Sequence, residues 1–145
     1  MIVTPFPSRD AILAACRGFP TDDHPMLDAA GELALLHHRR EQTPLWAAEE
    51  LDWHRARLMR DIDLWVVMAA PSPHQDARIH THTMGQVIDQ IAQLTNLTYI
   101  ALAAAPGSLF EDYSVQLDEA GHAYQDLADE LAHGTRRLPA LFPLA

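Results

Sequence analysis

Hydrophobic residues recur along this chain at intervals of three and four, and no segment shows the two-residue alternation rich in Val, Ile or Thr that marks a strand. That periodicity predicts five helices. Ser8 caps a short first helix that runs to about Arg17 and stops at Gly18-Phe19-Pro20. Asp22 or Asp23 opens the second, with Pro25 in its first turn, where a missing N–H costs nothing, and it runs to about Gln42. Thr43-Pro44 repeats the device for a third helix that continues to about Ala70, and Pro71-Ser-Pro-His-Gln reads as a surface crossover. Thr81 or Thr83 then caps a fourth helix over residues 84–105, and Ser108 caps a fifth over 109–133 that Gly134 ends. The apolar tail from Leu138 packs back on the bundle or against a second subunit. The expected fold is an all-α antiparallel bundle of four long helices plus the short first one, in a single domain over residues 1–145.

The helices differ in how cleanly their stripes run. The fifth is plain: Phe110, Tyr113, Leu117, Ala120, Tyr124, Leu127 and Leu131 line one side. Glu111, Asp112, Asp118, Glu119, Asp126, Asp129 and Glu130 form a solvated acidic face opposite. The fourth helix has Asp89 as its only charge, with Gln86, Gln90, Gln93 and Asn96 where a surface helix carries charges, so it is expected at the centre, covered on most sides. Those polar residues also argue against a membrane span. Trp46, Trp53 and Trp65 read as core and interface anchors.

The second and third stripes are broken. Met26, Ala30 and Leu33 lead into His37 and Arg40, while Leu51, Leu58, Ile62 and Trp65 pass through Arg55 and are flanked by Asp52 and Asp63. Charges at core-facing positions are costly unless paired. The economical arrangement brings Arg40 and Arg55 to Asp52, Asp63 or Asp89, with His37, His80 or His82 nearby. Such a cluster either fixes helix register or lines a pocket, and histidines at its edge favour the pocket. Gly85, in a first helical turn where it costs roughly 1 kcal/mol against Ala, implies close packing against another helix. The alternative is room for an anion at the free N–H groups.

Composition narrows the function classes. The 145 residues are 48% hydrophobic and 21% charged, as expected of a globular chain. The net charge is −10 and every basic residue is arginine, so no basic patch is expected for nucleic acid or an anionic membrane. Cys16 stands alone and reads as a packing residue, with no disulfide framework; the N-terminal residues lack a signal peptide's features, and a cytoplasmic setting is expected. There is no Gly-x-Ser-x-Gly elbow and no Gly-rich phosphate loop. His80-x-His82 offers two nitrogens to a divalent metal, which His37, His38, His54 or an acid would complete. The spacing fits no established metal signature, and the expectation is no cofactor, with the histidines serving as hydrogen-bonding or acid–base groups.

The stretch Arg55-Ala-Arg-Leu-Met-Arg-Asp-Ile-Asp-Leu-Trp65, then His80-Thr-His-Thr-Met-Gly-Gln-Val-Ile-Asp-Gln-Ile91, with Leu36-His37-His38-Arg39-Arg40 upstream, resembles a bacterial family, domain-of-unknown-function family four-two-five-four. The resemblance covers about residues 33–104 and carries over at His37, Arg40, Asp63, His80, Thr83, Gly85, Ile88 and Asp89. His82 stands where the family has Glu, and Gln90 where it has Arg. The resemblance implies a helical fold, a site location and a biosynthetic setting, but no reaction.

Two functions follow as expectations. The first is a small cofactor-independent biosynthetic enzyme catalysing an isomerase, lyase or cyclising step on a polar or anionic small molecule. His80 or His82 with Asp89 would move a proton. Arg40 and Arg55 would hold the substrate's anionic group, and His37, Thr83, Gly85 and Asp63 would complete its site. The second is a non-catalytic helical dimer that binds and assists another biosynthetic protein through the tail from Leu138 and a patch near Trp46. In either case a homodimer is expected to bury part of the fourth helix.

Overall fold

A computed structural model describes residues 4–104 and 107–141. Helix α1, Arg9–Cys16, begins where the Ser8 hydroxyl accepts the Ala11 N–H at 3.2 Å. Helix α2, Pro25–Glu41, is capped by His24 and not by Asp22 or Asp23. The His24 ring accepts the Met26 N–H through Nδ1 at 3.0 Å, meets the Pro5 carbonyl through Nε2 at 3.0 Å, and stands edge-on to Trp65. One neutral imidazole tautomer accepts at one nitrogen and donates at the other, which a carboxylate cannot do. Thr43 does not open the next helix either: its hydroxyl donates to the Arg39 carbonyl at 2.7 Å and closes α2. Pro44 leads instead into a 3-10 turn, Leu45–Ala47. Helix α3, Glu49–Ala69, follows with Glu49, Glu50 and Asp52 in its first turn, where the helix dipole favours acids.

Two short strands were not anticipated. β1, Arg78–Ile79, pairs in parallel with β2, Arg136–Arg137, and ties the crossover to the end of the last helix. Helix α4, Met84–Ala104, opens with a capping box. The Thr83 hydroxyl accepts the Gln86 N–H at 3.2 Å, and the Gln86 side chain accepts the Thr83 N–H at 2.9 Å. Helix α5, Ser108–His133, starts at the expected cap residue itself and ends at Gly134, whose φ of +76° is the left-handed closure glycine favours.

The result is an all-α bundle with α4 in contact with each of the other four helices. Ile88, Ile91 and Ala92 on α4 are buried together with Met26, Leu33, Ile62 and Tyr124. Gln86, Gln90 and Gln93 form an exposed strip on α4, whereas Asn96 is buried. The α5 stripe buries Tyr124, Leu127 and Leu131, but Phe110, Tyr113 and Leu117 are only half-buried, so the bundle thins towards the start of that helix. Of its acids, Glu130 is half-buried and accepts from Arg136 at 2.8 Å; the others are exposed. Of the tryptophans, Trp65 alone packs on the core; Trp46 and Trp53 are 86% and 70% exposed. Leu138 packs back on the bundle, while residue 105 and the end of the tail lie outside the described residues. Among the described residues no helix is long and apolar enough to cross a membrane.

Candidate functional site

Two helices each place one polar group against a carboxylate carried by a third. Asp89 lies one turn into α4, His37 near the end of α2, and Arg55 at the second turn of α3. Each stands at a core-facing position of its stripe, so packing the three stripes together forces the three polar groups to meet. The Asp89 Oδ1 accepts from His37 Nε2 at 2.8 Å and from Arg55 Nε at 3.0 Å, and its Oδ2 accepts from Arg55 Nη2 at 2.8 Å. The Asp89 and His37 side chains are 7% and 10% exposed, while Arg55 reaches in from the rim at 41%. Burial alone would raise the Asp89 carboxyl. The hydrogen bonds and charges of His37 and Arg55 outweigh it and hold the group below its ordinary value. The same contact raises the Arg55 guanidinium against the opposing effect of burial.

Since a carboxylate only accepts, His37 donates through Nε2, and a neutral ring then carries its lone pair on Nδ1. His37 lines a cavity of about 280 Å³ together with Arg40, Asp52, Arg55, Gln93 and Asn96. Arg40 Nε donates to Asp52 at 3.2 Å. Each arginine thus gives part of its fork to a carboxylate, which leaves Arg55 Nη1 and the two Arg40 Nη groups as donors towards a ligand. Because both guanidiniums are already matched by acids, the cavity suits a polar hydrogen-bonding group better than a strongly charged anion.

The other expected residues sit elsewhere. His80 and His82 are not brought to Asp89. The His82 N–H donates to His80 Nδ1 at 3.1 Å, the two rings stand 6.1 Å apart, and both line a separate groove between α4 and α5 with Gln90 and Glu119. Among the described residues no set of three His, Cys, Asp or Glu comes together to hold a metal ion.

Thr83, Gly85 and Asp63 line neither space. They fasten the start of α4 to α3: the Asp63 carboxylate accepts the Gly85 N–H at 2.7 Å, and a Cβ on Gly85 would collide with the Met59 carbonyl. Gly85 is therefore a close-packing glycine, and the anion that a helix start favours is Asp63 itself. Burial raises the Asp63 carboxyl above its ordinary value, opposed by the Gly85 and Thr83 hydrogen bonds and the Arg60 charge. Cys16 is buried, its thiol pushed up to about 12 by burial, and its Sγ points to the Ala30 carbonyl at 3.8 Å, consistent with a packing role.

Gln93 and Asn96 are site residues that stripe reasoning missed. They follow Asp89 by four and seven positions, on the same side of α4, and that spacing is the signal that would have found them. No family model, curated protein or solved structure matches the chain.

Proposed function

We propose that the chain is a small acid–base catalyst acting, without a cofactor, on a polar small molecule that carries a carbonyl group. The observation that carries this reading is the buried His37–Asp89 hydrogen bond facing a polar cavity. Asp89 holds the ring in one tautomer and orientation, so that Nδ1 takes a proton from the carbon next to the carbonyl. Arg55 Nη1 and the Arg40 Nη groups donate to the oxygen on which negative charge develops, and a guanidinium already fixed by a carboxylate needs little reorganisation to do so. The proton returns from His37 to a different carbon in an isomerisation, or to a leaving group in an elimination. His80 and His82, expected as proton carriers from sequence, take no part in this scheme; His37 replaces them. Membership of the family resembled in sequence, and a biosynthetic setting, belong to the same proposal.

Incubation with carbonyl compounds in deuterium oxide tests it, with exchange next to the carbonyl followed by NMR. His37→Gln is expected to slow protein-dependent exchange by about 10²- to 10⁴-fold, the range of general acid–base catalysis, with the helical circular dichroism unchanged. Exchange that proceeds equally in His37→Gln would end this reading.

A second reading, a non-catalytic helper, is favoured by one observation. Leu45, Trp46 and Trp53 are 82%, 86% and 70% exposed in the 3-10 turn and the first turns of α3, and exposed aromatics of this kind anchor protein partners.

A further inference from the structure

The polar cavity has an apolar neighbour. On the other side of the α2–α4 seam lies a groove of about 680 Å³, lined among others by Phe19, Leu35, Tyr99, Leu102 and Phe110. Asn96 borders both spaces. It is 7% exposed and sits where α4 leaves the Asp89 cluster, so its amide is a shared wall between them. The groove's polar contributors besides Asn96 include His38, Thr95 and Thr98 and, two residues before Phe19, Arg17, whereas Phe19, Leu35, Leu102 and Phe110 supply its apolar surface. Thr95 and Thr98 donate their hydroxyls back to the Ile91 and Leu94 carbonyls at 2.8 and 2.7 Å, so these protons are already engaged within α4. Phe19 is 75% exposed, Tyr99 65%, and Leu35 and Leu102 49% each, so the described residues leave the groove largely uncovered.

We propose that the ligand is amphipathic: a carbonyl-bearing head in the polar cavity and an unbranched apolar chain that passes Asn96 and lies along the groove. This rests on the reading of His37 and Asp89 given above and supplies its substrate class. A polar head alone would leave the groove unexplained. The cavity, at about 280 Å³, holds little more than a head group, and the groove is more than twice as large. Burial of the chain supplies affinity that the cavity cannot, because its arginines are already engaged with Asp52 and Asp89. The Asn96 amide carries both donors and an acceptor and can donate to the head's oxygen, which suits it to the boundary between the two parts.

A series of methyl ketones from butan-2-one to decan-2-one tests this, with binding read by ligand NMR and deuterium exchange read in the same samples. Affinity is expected to rise about fourfold for each methylene until the groove is filled. Leu35→Glu and Leu102→Glu lie at half-exposed positions that tolerate charge. They are expected to abolish the dependence on chain length, whereas Leu64→Glu, at a 44% exposed position of α3 that lines neither space, is expected to keep it. His37→Gln is expected to stop exchange of every member yet keep the dependence of binding on length.

Exchange that depends on His37 but not on chain length overturns the amphipathic ligand and leaves the catalytic reading standing. Binding that rises with length but without His37-dependent exchange supports the groove and removes the catalysis. Binding that is indifferent to Leu35→Glu and Leu102→Glu overturns the placement. If Leu35→Glu instead converts a dimer to a monomer while decan-2-one does not bind, the groove is covered by a second copy of the chain and the proposal falls.

Discussion

Helix α4 carries a histidine neighbourhood on each side, and the two are built on opposite principles. Towards α2 and α3, the His37 side chain is 10% exposed and its partner is a carboxylate that a guanidinium also holds, so the ring's orientation and tautomer are set by distant parts of the chain. Towards α5, the partners of His80 and His82 are local: a backbone N–H two residues away and the Thr81 hydroxyl next door. The β1–β2 pairing places that segment, with the His80 N–H donating to the Arg137 carbonyl at 2.8 Å, but nothing ionised touches either ring among the described residues. A carboxylate partner distant in sequence orients a histidine ring and fixes its tautomer, whereas local partners in water only shape a turn.

The comparison breaks most easily at its buried member. Asp89→Ala strands His37 and Arg55 without their acceptor. Losing one member of a buried pair costs 3–5 kcal/mol, and Arg55 is half in water, so about 3 kcal/mol is expected in urea unfolding. His82→Ala, by contrast, is expected to change stability by less than about 0.5 kcal/mol, as surface substitutions do. Equal effects at the two sites would mean that the Asp89 cluster is not held as described.

Gly85 sharpens the comparison from below, because it decides how deeply α4 can seat Asp89 against α3. Gly85→Ala is expected to cost about 2 kcal/mol, lowering the melting temperature by about 6 °C, because the added methyl meets backbone that only a shift of the helix can move. Gly121 on α5 is the control. A Cβ there meets the Arg9 Cγ at 3.1 Å, a side-chain atom that needs to give by only a few tenths of an ångström, so Gly121→Ala is expected to change stability by less than about 0.5 kcal/mol. Two losses of similar size would remove the special role of the α3–α4 contact.

The helices were legible because each has an apolar stripe with period 3.6, and the charged breaks in two stripes pointed to His37, Arg40 and Arg55 for the same reason. Pairing was not legible. A stripe shows that Asp89 faces inwards but not which of three histidines lies opposite, because that depends on which helices α4 touches and at what height. The His80-x-His82 spacing drew attention in sequence because the two residues are close along the chain, yet closeness along a turn says nothing about reach into the core. The caps misread in sequence share a cause: His24 and Thr43 act through tertiary and preceding-turn partners, Pro5 and Arg39, that local rules do not include. Strands of two residues carry no period at all.

The smallest expected effect separates by sign the two acids at the α3–α4 contact, Asp89 on α4 and Asp63 on α3. Asp89 has its carboxyl lowered in the folded state, so it contributes stability above the ordinary carboxylate range, and that contribution is lost as the pH falls through the folded value. Asp63 has its carboxyl raised, chiefly by burial, so its ionised form is disfavoured by folding, and stability is lost as the pH rises through the carboxylate range. The two asparagine variants should therefore diverge. Asp89→Asn is expected to be least stable relative to the parent at pH 7, with the deficit shrinking towards pH 3. Asp63→Asn keeps an oxygen to accept the Gly85 N–H while removing the half-buried charge. Relative to the parent it should fare better at pH 7 than at pH 3, by well under 1 kcal/mol, because loss of a favourable charge at the start of α4 offsets part of the gain. Melting temperatures of the three proteins at the two pH values decide it. If Asp63→Asn follows the same trend as Asp89→Asn, then Asp63 is a stabilising cap charge and the contrast between the two acids is wrong.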